Sequence, residues 1–233
     1  MDTSMAEVHK KIRILQVVFD TEIFSYEIPA FRGAIINKVG KEHILFHNHT
    51  ENDGFRYKYP LIQYKVIGKK PAIVCVDYGV DEIHRLFENN DWSISISGRT
   101  IDLKIDKLNL NRFTMNVWDK YFKYNIKNWV ALNQENYKKY LALDSLSEQS
   151  KFLESLLKAN ILSFAKGIEW QVPKPVDLSI TDILDVRTAK IKDQKVLGFN
   201  LDFKCNVFIP NYIGLGKSVS LGYGNVREIR TKR

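Results

Sequence analysis

The chain has 233 residues, 45% hydrophobic and 12% aromatic, which describes an ordered globular protein and allows one large core or two small ones. Thirty-five Lys and Arg against 27 Asp and Glu give a net charge of +8, so an acidic partner is expected, nucleic acid being the commonest. No run approaches the roughly 18 apolar residues that a bilayer span needs, and no signal peptide opens the chain, so a cytoplasmic protein without membrane contact is expected.

In chain order, Lys11 to Phe19 reads as a strand and Pro29 to Val39 as a helix. Pro29 suits a first helical position, Ile28, Phe31, Ile35 and Val39 share a face, and Gly40 can end it. After a polar, irregular stretch, Leu61 to Ile67 and Ala72 to Asp77 predict a hairpin turned at Gly68-Lys69-Lys70-Pro71. A helix from Val80 to Glu88 follows, with Val80, Ile83 and Phe87 at helical spacing, and Ile101 to Ile105 alternates as a further strand. The order βαββαβ is the ferredoxin-like, RRM-like unit, two right-handed crossovers laying both helices on one face of an antiparallel sheet. Cys75 and Cys205 each stand in an apolar strand-like run and read as core thiols of a reducing compartment.

The second half opens on an aromatic strand from Asn111 to about Val130, carrying Phe113, Val117, Trp118, Phe122 and Trp129. Ser145-Leu146-Ser147-Glu148 has capping-box spacing, and Leu153, Leu156, Leu157, Ile161, Phe164 and Ala165 trace one face of the helix that Lys166-Gly167 closes. Ile183 to Ile191 and Lys195 to Ile209 predict a hairpin through Lys192-Asp193-Gln194, and Tyr223 to Ile229 a last strand. The fold class is therefore α+β, with two tandem ferredoxin-like domains, 1–108 and 109–233, the second irregular with a helical insertion.

Two clusters carry chemistry. The first is Gly214-Leu215-Gly216-Lys217-Ser218-Val219-Ser220-Leu221-Gly222-Tyr223-Gly224. Glycines let a backbone approach a ligand closely, and successive N–H groups in such a loop make an anion-binding concavity, so a phosphate is the expected ligand. A P-loop is excluded, because its first glycine would fall on Asn211 and too little chain remains for the helix that must follow. The same glycines also fit a hairpin that binds nothing.

The second cluster is His43, His47 and His49, three of the chain's five histidines, just past the first helix. Two residues apart on extended chain, His47 and His49 point to one side and can serve one bond as general base and acid. Histidines lining a polar loop are the plain alternative. A metal would need further ligands, and Glu42, Glu51 and Asp53 are scattered, so neither a metal nor a cofactor is expected.

The glycine-rich segment following two α+β units resembles the signature loop of the CRISPR repeat-processing endoribonucleases, members of the repeat-associated mysterious protein superfamily, and His47-Asn48-His49 resembles the active-site region of one branch. The resemblance implies an enzyme of antiviral defence that cuts CRISPR repeat RNA without metal, a ribose 2′-hydroxyl attacking the adjacent phosphate to release guide RNAs. His47 and His49 would then share the acid and base roles, Tyr57 would orient the phosphate or a histidine, and Lys38 would steady the charged phosphorane. RNA would be held by Gly214, Gly216, Lys217, Ser218, Gly222 and Gly224, with Arg56, Lys58 and Arg227 as backbone contacts. An interference complex and a homodimer are the further partners that this reading admits. Two alternatives stay open: a non-catalytic RNA-binding subunit of a CRISPR ribonucleoprotein, and a metal-dependent enzyme using the His-x-His pair.

Overall fold

Strand β1 (Lys10–Phe19) buries residues of both faces, Ile12 and Ile14 on one and Val17 and Phe19 on the other. The computed structural model describes residues 9–47, 59–191 and 194–230. Within them the chain divides into two compact units, one of residues 11–47 and 59–113 with Ser220–Gly222, the other of Thr114–Val219 with 223–230.

In the first unit, helix α1 (Ile28–Val39) starts at Pro29 and stops at Gly40, whose N–H returns to the Ile36 carbonyl at 3.0 Å. Its predicted face, Ile28, Phe31, Ile35 and Val39, is buried against β1 and the two strands of the following hairpin. A single helical turn, α2 (Ile44–His47), comes next. Strands β2 (Ile62–Ile67) and β3 (Lys70–Val76) pair antiparallel across Gly68 and Lys69, both at positive φ, as a two-residue hairpin turn requires. The helix expected from Val80 to Glu88 is two separate turns, α3 (Gly79–Glu82) and α4 (His84–Phe87), with buried Ile83 between them.

The fourth strand of this sheet is not the one expected. Ile101 lies in β5 (Arg99–Asp102), which pairs only with β4 (Ser93–Ile96) in a separate two-stranded ribbon. The sheet is completed by β6 (Ile105–Met115), in the order β2-β3-β1-β6. Most of β6 is exposed at the sheet edge, so it carries little of the periodicity by which a half-buried strand is recognised. The aromatic strand expected from Asn111 to Val130 is accordingly split at Asn116, where β6 ends and β7 (Val117–Trp129) begins.

The second unit repeats the permutation. Its sheet has the order β10-β7-β9-β8, built from β7, the hairpin β8 (Leu178–Ile191) and β9 (Gln194–Val207), and β10 (Asn225–Glu228). Between β7 and β8 stand α5 (Gln134–Leu141) and α6 (Leu146–Gly167). The Ser145 hydroxyl accepts from the Glu148 N–H and the Glu148 carboxylate accepts from the Ser145 N–H, so the predicted capping box starts α6. Leu153, Leu157, Ile161, Phe164 and Ala165 on α6 are buried, and so is Ile168 just past its end. In the place where a second crossover helix would stand, the chain instead runs through the glycine-rich segment, with one 3-10 turn at Val219–Leu221. Both units thus show the ferredoxin-like strand order. The turn residues Lys192 and Asp193 lie outside the described residues. Both cysteines are buried and unpaired, as expected.

One buried group runs against the logic of the first core. Lys65 on β2 is 1% exposed, and among the described residues its ammonium has no hydrogen-bond partner. Burial alone pushes it down to about 7. Because the folded value lies below the unfolded one, the cost of Lys65 is fully present below about pH 7 and is relieved as pH rises toward 10. Lys65→Met should therefore stabilise the protein by about 1–4 kcal/mol near neutral pH. In urea melts, that gain should shrink between pH 7 and pH 10, and a gain independent of pH would contradict the assignment.

Candidate functional site

His47 is the last residue of α2, and the short turn is fastened from three sides. Phe46 is buried beneath it. The hydroxyl of Tyr64, itself buried on β2, donates to the Phe46 carbonyl at 3.1 Å. Arg32, on the middle of α1, donates to the His47 carbonyl. These two donors satisfy carbonyls that a helix end leaves without intrahelical partners. Burial raises the Tyr64 phenol far above its usual range and lowers the Arg32 guanidinium, so Tyr64 stays a neutral donor while Arg32 keeps its charge. The imidazole Nε2 of His47 lies 2.5 Å from the Lys41 carbonyl. A carbonyl only accepts, so Nε2 is the donor in this contact.

Lys38 sits in the last turn of α1, with only 13% of its side chain exposed. Its ammonium donates to the Asp91 carbonyl at 2.7 Å and to the Asp91 carboxylate at 3.2 Å. The Ser93 hydroxyl and N–H, and after them Lys38, pull the Asp91 carboxyl down to about 2, so this ion pair persists across the physiological range. Lys38 also lines a shallow groove with Ala34, Asn37, Ser93, Ile94 and Ser95. His49, Tyr57, Arg56 and Lys58 lie outside the described residues.

The glycine-rich segment is fastened mainly to the end of β7. The N–H groups of Lys217 and Gly224 donate to the carbonyls of Val130 and Asn128, both at 3.0 Å, and the Leu215 N–H donates to the Gly224 carbonyl at 2.9 Å. Those three amides are used inside the protein, so an anion at this segment would be met by other groups. Ile213, Leu215 and Val219 are buried, and Gly216 lies against the Trp129 indole, whose N–H donates to Asn160 on α6. Gly224 has φ +63°, and a Cβ there would stand 1.7 Å from the Leu215 carbonyl oxygen. The Lys217 side chain points to solvent, Ser218 is half-buried, and Gly214 is bridged to Asn225. Arg227, on β10, is exposed and lies 4.8 Å from the Tyr212 ring centre.

The tip of the segment belongs to the first unit. A Cβ on Gly222, at φ +84°, would fall 2.7 Å from Ile28 Cδ1 and 3.2 Å from the Tyr64 carbonyl oxygen. Tyr64 thus touches both clusters, reaching Phe46 with its hydroxyl and Gly222 with its main chain. The structure sets the Phe46 carbonyl, next to His47, and Gly222 both against Tyr64, and it pairs Lys38 with Asp91. Arg32, Tyr64 and Asp91 were not predicted. Each reads in the sequence as ordinary helix, strand or loop, and no local spacing links residue 32 or 64 to residue 47.

Two ferredoxin-like units, a histidine on the turn after the first helix and a glycine-rich segment before the last strand define the class to which the motifs pointed, the CRISPR repeat-processing endoribonucleases. The Cas6b N-terminal domain model matches residues 10–114 and the Cas6b C-terminal domain model residues 116–229, so the chain belongs to the Cas6b family. It superposes on a crystal structure of Cas6b with a TM-score of 0.82 and 27% identity, covering 94% of this chain and all of that one. A second structure, of a CRISPR RNA processing endoribonuclease Cas6b, gives a TM-score of 0.70 at 25% identity over the same shares. An uncharacterized protein of Methanocaldococcus jannaschii is 37% identical over 104 residues, 45% of this chain and 69% of that protein.

The glycine packing makes a stability prediction. Gly224→Ala should cost about 2–4 kcal/mol, combining left-handed strain with overpacking against Leu215. Gly68→Ala, at positive φ with nothing within 4 Å, should cost about 1 kcal/mol. Thermal melts of the two variants would compare them, and equal losses would refute the packing argument.

Proposed function

We propose that the chain processes CRISPR repeat RNA by metal-independent transesterification, with His47 and His49 as the acid–base pair. A base takes the proton of a ribose 2′-hydroxyl, the 2′-oxygen attacks the neighbouring phosphorus, and the P–O5′ bond breaks as an acid protonates the departing 5′-oxygen. The products are a 2′,3′-cyclic phosphate and a 5′-hydroxyl, and no water is consumed. The observation that carries the reading is that Tyr64 anchors both the His47 turn and the tip of the glycine-rich segment. A nucleophile supplied by the substrate asks for little more than this: a titratable imidazole held still, beside a chain segment able to meet a phosphate.

His47 contributes an imidazole whose Nε2–H is held by the Lys41 carbonyl, which fixes the ring for acid–base work with His49. Arg32 acts through it as a positioning residue, holding the His47 carbonyl. His49 completes the pair, Tyr57 orients the phosphate, and Lys38 adds positive charge that Asp91 partly offsets. Lys217 and Arg227 contribute exposed cations for the RNA backbone, with Arg56 and Lys58 in the same role, and the glycines keep the main chain close. The interference complex and the homodimer belong to this proposal as partners.

Full-length protein incubated with repeat RNA in excess chelator should cut and leave a cyclic phosphate, whereas RNA blocked by a 2′-deoxy substitution should bind uncut. Activity lost with chelator would favour the metal enzyme, and binding without cutting would favour the subunit. His47→Ala and His49→Ala should each slow cutting about 10²-fold or more with RNA affinity nearly unchanged. Unchanged rates in both would refute the assignment. Lys217→Ala should weaken binding and reduce its salt dependence by about one phosphate, as titrations at two ionic strengths would measure.

A further inference from the structure

Tyr26 and Phe24, at 77% and 65%, are the two most exposed aromatic side chains among the described residues, and they are stacked on each other. Their ring centres are 5.3 Å apart and their planes 8° from parallel. They stand in the connection that leads from β1 into α1, and that connection is held with unusual care for a surface loop. The Glu27 carboxylate, buried just beyond Tyr26, accepts from the Phe24 N–H at 2.9 Å through one oxygen and from the Arg99 guanidinium through the other. The Phe24 N–H first, then Arg99 and Ser97, hold the Glu27 carboxyl below its usual range although burial opposes them. The Phe24 carbonyl accepts from the Glu27 N–H at 2.9 Å, and the Ile23 N–H donates to the Lys69 carbonyl at 3.0 Å.

We propose that the Phe24–Tyr26 stack is a platform on which an unpaired nucleobase of single-stranded RNA stacks, with Arg99 beside it. The inference deepens the reading given above and rests on it. Two rings in near-parallel contact leave outer faces open to a third flat ring, and base–aromatic stacking accepts any base because every base has a π-face. A buried apolar anchor for another protein would be set in a wider apolar patch. Nearby in the chain or across the Ile23–Lys69 bond, Glu22, Ser25, Pro29 and Lys69 are exposed, three of these four polar or charged, and the Arg99 side chain is half-exposed. That surround suits a base with its sugar–phosphate edge better than it suits a protein core. Rigidity matters too, because a platform held before binding loses little freedom when the base arrives.

The test uses the full chain, its Phe24→Ala/Tyr26→Ala double variant and the Phe24→Tyr/Tyr26→Phe swap, with a mixed-sequence single-stranded RNA carrying 2-aminopurine at one position at a time. The double alanine variant should bind roughly tenfold or more weakly with an unchanged salt slope, and the swap should bind as the parent does. One probe position should be quenched by the parent and the swap and not by the double variant. If the double variant does not fold, quenching by the parent and its retention in the swap decide. Equal affinity in all three, with no quenched position, overturns the platform while the wider reading stands; a parent that binds no RNA overturns both. Self-association of the parent that the double variant loses, at unchanged RNA affinity, would make this face a protein contact and overturn the platform.

Discussion

Tyr64 is the residue on which the candidate site depends. Its ring stands edge-on to Phe31 in the core between sheet and helix, with centres 5.9 Å apart, while its hydroxyl leaves that core only to reach the Phe46 carbonyl. A buried phenol must find an acceptor, and a helix end must find donors, so the one bond satisfies both needs. The consequence is that the turn ending in His47 is referred to the sheet and not merely to the helix before it. The Tyr64 main chain also lies against Gly222, which belongs to the same compact unit.

The glycine-rich segment illustrates how a motif can carry two demands at once. Gly216 and Gly224 are small because Trp129 and the Leu215 carbonyl leave no room for a Cβ, which is a requirement of packing. Several amides that a phosphate might have used are spent on carbonyls of β7 and of the segment itself. The segment is a firmly held backbone path with the Lys217 side chain on its outside. Under the proposed function, the basic net charge of the chain would supply the long-range attraction for RNA and this path a shaped place for it to act.

The charged groups of the first unit divide by how they are treated. Asp91, Glu27 and Asp20 each have a cation to hold them, Lys38, Arg99 and Lys70 respectively. Arg32 is turned onto a carbonyl beside the candidate histidine. Among the described residues Lys65 has neither counterion nor hydrogen bond, and it stands on the strand that carries Tyr64, one residue further on. Alternation along β2 puts the aromatic ring in the helix-facing core and sends the lysine to the opposite face of the sheet.

Much was legible from the chain alone, because it is written in short-range patterns. The apolar face of α1, the Gly68-Lys69 turn, the capping box of α6 and the hairpin of β8 and β9 each announce themselves within a few residues. So did the glycine-rich segment and the histidine cluster, whose composition is unusual over a short stretch. What only the tertiary structure decided is pairing at a distance: that Ile101 is used by a ribbon and the exposed β6 completes the sheet, that Lys38 is bound to Asp91, and that Arg32 and Tyr64 hold the turn of His47. Periodicity reports which face of an element is buried. It carries no record of which partner, far along the chain, does the burying or accepts the hydrogen bond.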